Sequence, residues 1–129
     1  VKTLRVVLIL ALAVIPTSAQ KKHKPPDLEV LEATAHRGED KISVDGRVRN
    51  SGEKPIKSLT LMFNFLAPGK EAIATEKGEI DEELLEHGKV ASFHMEANAP
   101  PRAVQFEISA QDGSGRELRV ANTGPFAIE

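Results

Sequence analysis

The sequence predicts an all-β protein: a seven-stranded antiparallel β-sandwich built from residues 27–129. Three observations carry that expectation. Apolar residues recur at every second position in four separate segments. Clusters rich in Gly, Pro and Asn fall between those segments. No stretch of the mature region has both the length and the period of a core helix.

The chain opens on a different pattern. Lys2 and Arg5 are the only charges in the first 19 residues, and the apolar run Val6–Ile15 follows them. Pro16 breaks the run, and Thr17-Ser18-Ala19 supplies the small residues that a signal peptidase reads. Residues 1–19 are therefore expected to be a cleaved secretory signal peptide. The alternative is an uncleaved anchor, but a bilayer span needs about 20 apolar residues, twice this run. A first residue of Val instead of Met suggests a GTG start and a bacterial source. The apolar run is not followed by Cys, so the lipoprotein route is closed. Cleavage after Ala19 leaves 110 residues with 15 basic and 19 acidic side chains, a net charge of −4. A chain of that size buries about 65% of its extended surface, enough to fold without metal or disulfide.

Residues 20–26, Gln-Lys-Lys-His-Lys-Pro-Pro, read as a flexible basic arm entering the domain in extended form. It is either a spacer that keeps the cleavage site accessible or a contact for anionic lipid or envelope polymer.

The strands follow in order. Leu28–His36 is a weak first candidate. Ile42, Val44, Gly46 and Val48 alternate with polar neighbours, as do Leu59, Leu61, Phe63 and Phe65. Glu71–Lys77 is weak again. Ala91, Phe93, Met95 and Ala97 alternate clearly, as do Val104, Phe106, Ile108 and Ala110. Arg116–Ala121 completes the seven. Successive strand side chains point to opposite faces, so each strong segment has one dry and one wet face. Two sheets packed face to face satisfy that arrangement. Val44, Val48, Leu61, Phe63, Phe93, Phe106 and Ile108 are expected in one core. Met62 and Leu66 are expected on a wet face.

Turn clusters separate the strands at Asn50–Pro55, Ala67–Lys70, Glu86–Lys89, Asn98–Pro101 and Asp112–Gly115. The acidic stretch Glu79–Glu86 is too short and too charged for a core helix, so a loop or single turn is expected there. It also suits a charged edge that discourages sheet-to-sheet aggregation.

Three patches bring a family into view. Gly46-Arg47-Val48-Arg49-Asn50 resembles the G-x-V-x-N step of bacterial and archaeal FxLYD domains. Phe63–Lys70 lies where that family has F-x-L-Y-D followed by Gly. Leu85–Phe93 resembles its L-x-P-G-x-x-x-x-F step. Leu66 and Ala67 stand at the family's Tyr and Asp, and His87 stands at its Pro. The resemblance implies an immunoglobulin-like sandwich, similar in fold to water-stress and hypersensitive-response type domains. It also implies an accessory module of the cell envelope, with no catalytic residues to carry over.

Composition narrows the chemistry. Seventeen Lys and Arg against 19 Asp and Glu give a net charge of −2, and there is no Cys, Trp or Tyr. Thiolate metal sites, disulfides and cysteine nucleophiles are excluded. Near-neutral charge and an aromatic set limited to five Phe argue against nucleic-acid binding. His23, His36, His87 and His94 lack the pairwise spacing of metal ligands and read as solvated. The acidic run Glu76–Glu86 lacks the spacing of a calcium loop. Ser43, Ser58, Ser92 and Ser109 are expected on wet faces, Ser51 and Ser114 in turns, and G-x-S-x-G is missing. Asp112-Gly113-Ser114-Gly115 has no following Lys and reads as a hairpin turn, not a phosphate loop.

The expectation is a non-enzymatic, soluble, exported interaction module, periplasmic or extracellular. It carries no cofactor, no metal and no catalytic residue, and after cleavage no stable membrane insertion. An envelope protein is its expected partner. The candidate partner surface comprises Asn50, Met62, Leu66, Gly69, Asp81, Glu82 and Glu83. The alternatives are a small-ligand or metal-ion carrier, which needs a concave pocket with convergent polar groups, and a proteinase inhibitor presenting a sandwich-end loop.

Overall fold

The structure, a computed structural model, describes residues 25–98 and 100–129. The expected signal peptide, and the arm up to Lys24, lie outside them. The described residues contain strands and no helix. The strands are β1 (Leu28–Arg37), β2 (Ile42–Asn50), β3 (Ile56–Lys57), β4 (Thr60–Ala67) and β5 (Glu71–Glu79). They continue with β6 (Leu84–Leu85), β7 (Val90–Ala97), β8 (Gln105–Gln111), β9 (Val120–Ala121) and β10 (Phe126–Ala127).

A first sheet has the order β7-β2-β1-β9, a second β10-β8-β4-β5, and β3 pairs with β6 in a small ribbon. The strong alternations form the long ladders: β2 pairs with β7 from Ile42–Ala97 to Arg49–Val90, and β4 with β8 from Thr60–Gln111 to Leu66–Gln105. All seven residues expected in the core are buried. Their dry faces meet through an aromatic cluster. Phe93 of the first sheet lies 5.6 Å from Phe63 of the second, and Phe106 contacts Phe63, Phe65 and Phe126 at 5.3–6.4 Å. Every Phe of the chain belongs to this cluster, which replaces the larger aromatics the sequence lacks.

Several expectations change. Ten strands stand where seven were expected, because β3, β6 and β10 are two-residue pairings too short to leave a period in sequence. The strand expected at Arg116–Ala121 contracts to Val120–Ala121, preceded by one bridge from Glu117 to Gln111. Pairing is not wholly antiparallel: β9 runs parallel to β1, and Ile128 bridges Ala35 in parallel. The Glu79–Glu86 stretch has no helical turn; Ile80 bridges Phe93, and Leu84–Leu85 forms β6.

Val104 has the inward parity of Phe106 but is 41% exposed, because it lies one residue beyond the last β4–β8 pair. Leu66 is the opposite case. It was expected on a wet face and is only 4% exposed. Between Phe65 and Leu66 the β4–β5 ladder jumps from Ala74 to Ala72, so that β5 carries one extra residue, Ile73, beside them. At this end of β4, Phe65, Leu66 and Ala67 are buried in succession.

Both open sides of the sandwich are stitched. On one, Ile80 leaves β5 of the second sheet to bridge Phe93 of the first. On the other, Ile128 N–H donates to the Val104 carbonyl while Glu129 N–H donates to that of Ala35. The chain enters beside the Asn50 turn, where Ser51 Oγ donates to the Pro26 carbonyl at 2.8 Å. Pro26 thus belongs to the folded body and not to a free arm.

Candidate functional site

Asn50 is the one buried polar side chain among the described residues. Its Nδ2 donates to the carbonyls of Leu85 (2.8 Å) and Lys54 (2.9 Å), and its Oδ1 accepts from Gly52 N–H at 3.0 Å. Its backbone N–H donates to Lys89 and its carbonyl accepts from Gly88. Asn50 was expected on a partner surface; it is instead the internal clamp between the 50–55 turn, β6 and the 86–89 turn. A turn cluster looks solvated in sequence, and only the register of β2 shows that this Asn points inward.

Leu66, only 4% exposed, is likewise removed from any partner surface. Met62 is half-buried on the outer face of the second sheet, between Ser109 of β8 and Lys77 of β5. Gly69 is exposed at the tip of the β4–β5 turn with φ of +84° and open space around it. Asp81, Glu82 and Glu83 are exposed together at the other end of β4.

That end carries two hollows. One, of about 460 Å³, is lined by Ser58, Asp81, Glu82, Glu83, Asp112 and Gly113, with neighbours from β4, β5 and β8. The second, of about 710 Å³, is lined by Asp27, Glu53, Lys54, Ile56, Asp112 and Arg116, with Pro25, Pro55 and Gly52. Asp112 belongs to both. Its Oδ1 accepts from Ser114 Oγ at 2.7 Å and from the backbone N–H groups of Ser114 and Arg116 at 3.0 Å. Arg116 Nε stands 3.4 Å from its Oδ2. The Ser114 hydroxyl first, then the Arg116 backbone N–H, hold this carboxyl below the ordinary aspartate range. Asp112 is a fixed negative charge locked in its turn. Acidic side chains gathered on rigid turns offer cationic or hydrogen-bond-donating groups a docking edge.

The outer face of the first sheet is organised differently. Glu29 and Arg49 are directly opposed and ion-paired, and Glu32 meets Arg47 at 2.8 Å. His94 Nδ1 lies 2.6 Å from Asp45 Oδ1, its cross-strand partner, and Nε2 lies 3.4 Å from Glu96. The Asp45 hydrogen bond, then its charge, and more weakly Glu96, raise the His94 pKa above 6.5. In sequence His94 reads as a solvated side chain; the signal that locates Asp45 is the β2–β7 register, which no spacing along the chain supplies. His87 donates from Nδ1 to the Gly52 carbonyl, a further tie between turns. Among the described residues no three His, Asp and Glu side chains converge as a metal cage. Nor is any helix of these residues long and apolar enough to cross a membrane.

No family model matches the chain, and no curated protein matches it. Solved structures do. IrmA from Escherichia coli aligns over 79% of this chain and 95% of its own, with 13% identity and a TM-score of 0.50. A calcium-binding mutant of Bacteroides uniformis β-glucuronidase 2 aligns over 74% of this chain with 16% identity and a TM-score of 0.54. This chain spans 14% of that enzyme's length. At such identities the likeness is one of fold.

Proposed function

We propose that the chain is a non-enzymatic interaction module, exported to the bacterial envelope, whose partner docks on the sandwich end formed by the two hollows. One observation carries the reading: Asp81, Glu82 and Glu83, with no core to support, line one concavity with the locked carboxylate of Asp112. The other potential chemistry has structural employment. Asn50 clamps turns, and the charges on the outer face of the first sheet are spent on one another. The partner chemistry that suits this end is a basic or amine-bearing segment of an envelope protein.

Export rests on the basic start, the ten-residue apolar run and the Thr17-Ser18-Ala19 exit. The immunoglobulin-like and FxLYD assignments belong to the same reading. They are supported by seven principal strand positions, counting β9 and β10 as two halves of the last. They are also supported by the contact of two motif patches: Asn50 of one holds the Leu85 carbonyl of another.

The test is crosslinking in cells followed by affinity purification of the natural chain and of a triple variant, Asp81→Lys with Glu82→Lys and Glu83→Lys. A partner captured by the natural chain and by Met62→Glu, but not by the triple variant, is the expected result. Capture unaffected by the triple variant, or turnover of an envelope substrate, overturns it.

A further inference from the structure

We propose that the chain's own basic arm, Lys21-Lys22-His23-Lys24, folds back across the two hollows and covers the Asp81–Glu83 end, as a tethered competitor of the partner. The inference rests on the reading of that end as the binding surface.

The first observation is where the arm leaves the folded body. Pro25 lines the larger hollow, together with Glu53, Pro55, Ile56 and Asp112. The two residues after it are pinned. Ser51 Oγ donates to the Pro26 carbonyl, Asp27 Oδ2 accepts from Arg119 N–H, and Asp27 N–H donates to the Arg119 carbonyl. The arm therefore starts from the wall of a groove, not from open surface. Cleavage after Ala19 leaves five residues, 20–24, ahead of Pro25, and five extended residues reach up to about 17 Å. Asp112 is a wall of both hollows, so the smaller one adjoins the groove in which the arm begins. Pro25, Pro55 and Ile56 give that groove an apolar share, which lysine stems can cover while their ammonium groups reach outward.

The second observation is charge. Glu79, Asp81, Glu82, Glu83 and Asp112 line the smaller hollow, and no Lys or Arg lines it. Of these five, only Asp112 is ion-paired among the described residues, to Arg116. The arm carries three lysines in four residues. Tethered at the groove, they supply the cations that the hollow lacks. A short flexible tether holds its end at a local concentration of about a millimolar. A contact too weak to persist between separate molecules is then populated within one.

A partner must displace the arm, and its apparent affinity falls in proportion to the fraction of chains whose end is open. Neutralising the arm should therefore strengthen capture.

Zero-length carbodiimide coupling of the purified exported chain at low ionic strength tests the contact. Mixing isotopically light and heavy chains separates links within a chain from links between chains. The expected result is a link within one chain from Lys21, Lys22 or Lys24 to Asp81, Glu82 or Glu83. It should disappear in about 1 M salt, where the screening length is about 3 Å. Arm lysines that stay unlinked, that link only between chains, or that link equally to Glu29 and Glu32 of the first sheet overturn the proposal. The second measurement is partner capture in cells. Lys21→Gln with Lys22→Gln and Lys24→Gln should raise it about threefold or more, as expected if the arm covers two-thirds of the chains. Capture unchanged or reduced in that variant overturns the competition. The coupling needs no partner, so the two readings fail separately. A link with no partner captured at all overturns the proposed function and leaves the arm contact standing, whereas capture at the acidic end with no link overturns the arm contact alone.

Discussion

Gly46 on β2 lies beneath the ring of Phe93 on β7: a Cβ built on Gly46 would stand 2.4 Å from Phe93 Cζ and 2.2 Å from the Glu32 carbonyl oxygen. The two residues are cross-strand partners, and Phe93 in turn packs on Phe63 of the opposite sheet. The missing side chain therefore makes room for the aromatic contact that joins the sheets. Gly46→Ala should destabilise the domain by about 1–3 kcal/mol or more through overpacking. Gly69→Ala meets no atom and should cost only about 1–2 kcal/mol, from its positive φ. Thermal melts of the two variants compare a packing cost with a purely conformational one.

Asn50 supplies a second prediction. Truncation to Ala strands the Leu85 and Lys54 carbonyls and the Gly52 N–H, at about 1–3 kcal/mol for each group that water cannot reach. Asn50→Asp should be no milder, since a carboxylate would face two carbonyl oxygens. Urea unfolding should place both midpoints well below that of the natural chain. A midpoint for Asn50→Asp equal to the natural one would mean that the clamp contributes nothing.

The aromatic cluster gives a third. Phe63→Ala should cost about 3–5 kcal/mol, since Phe63 is fully buried between Phe93 and Phe106. Ser92→Ala, on the exposed face of β7, should stay within about 0.5 kcal/mol of the natural chain. Equal losses from both would contradict the facing of β4 and β7.

These outcomes trace to what alternation makes legible. Wherever period two runs unbroken, as in β2, β7 and most of β4 and β8, the sequence identifies the buried face residue by residue. It misleads at Leu66 and Val104, because a bulge and the end of a ladder depend on the partner strand. It is silent on β3, β6 and β10, whose pairings are only two residues long and leave no period along the chain. The candidate site divides in the same way. Asp81, Glu82 and Glu83 are recognisable as an exposed acidic stretch, whereas their convergence with Asp112 is a property of the folded sandwich. Asn50 reads as a surface turn residue until the register of β2 turns it inward.

A fourth prediction concerns protons. The His94 pKa is raised in the folded chain, so its contribution to stability is fully present below about 6.5 and fades as pH rises through the folded value. Titration by NMR should place His94 above 6.5, and Asp45→Asn, which removes the chief cause, should bring it back down. Asp112 behaves in the opposite sense. Its lowered pKa stabilises above about 3.8 and is lost as pH falls through the folded value. A His94 pKa unmoved by Asp45→Asn would contradict the cross-strand pair.

The central claim is that this sandwich acts by binding, through the end where Asp81, Glu82 and Glu83 meet Asp112. Its most direct test is a photo-crosslinking residue placed at Glu82, at Met62 and at Gly69 in turn, in cells that export the protein. The account predicts one discrete protein adduct from position 82, abolished by Asp81→Lys with Glu83→Lys, and none from 62 or 69. An adduct from 62 or 69 with none from 82 would contradict it.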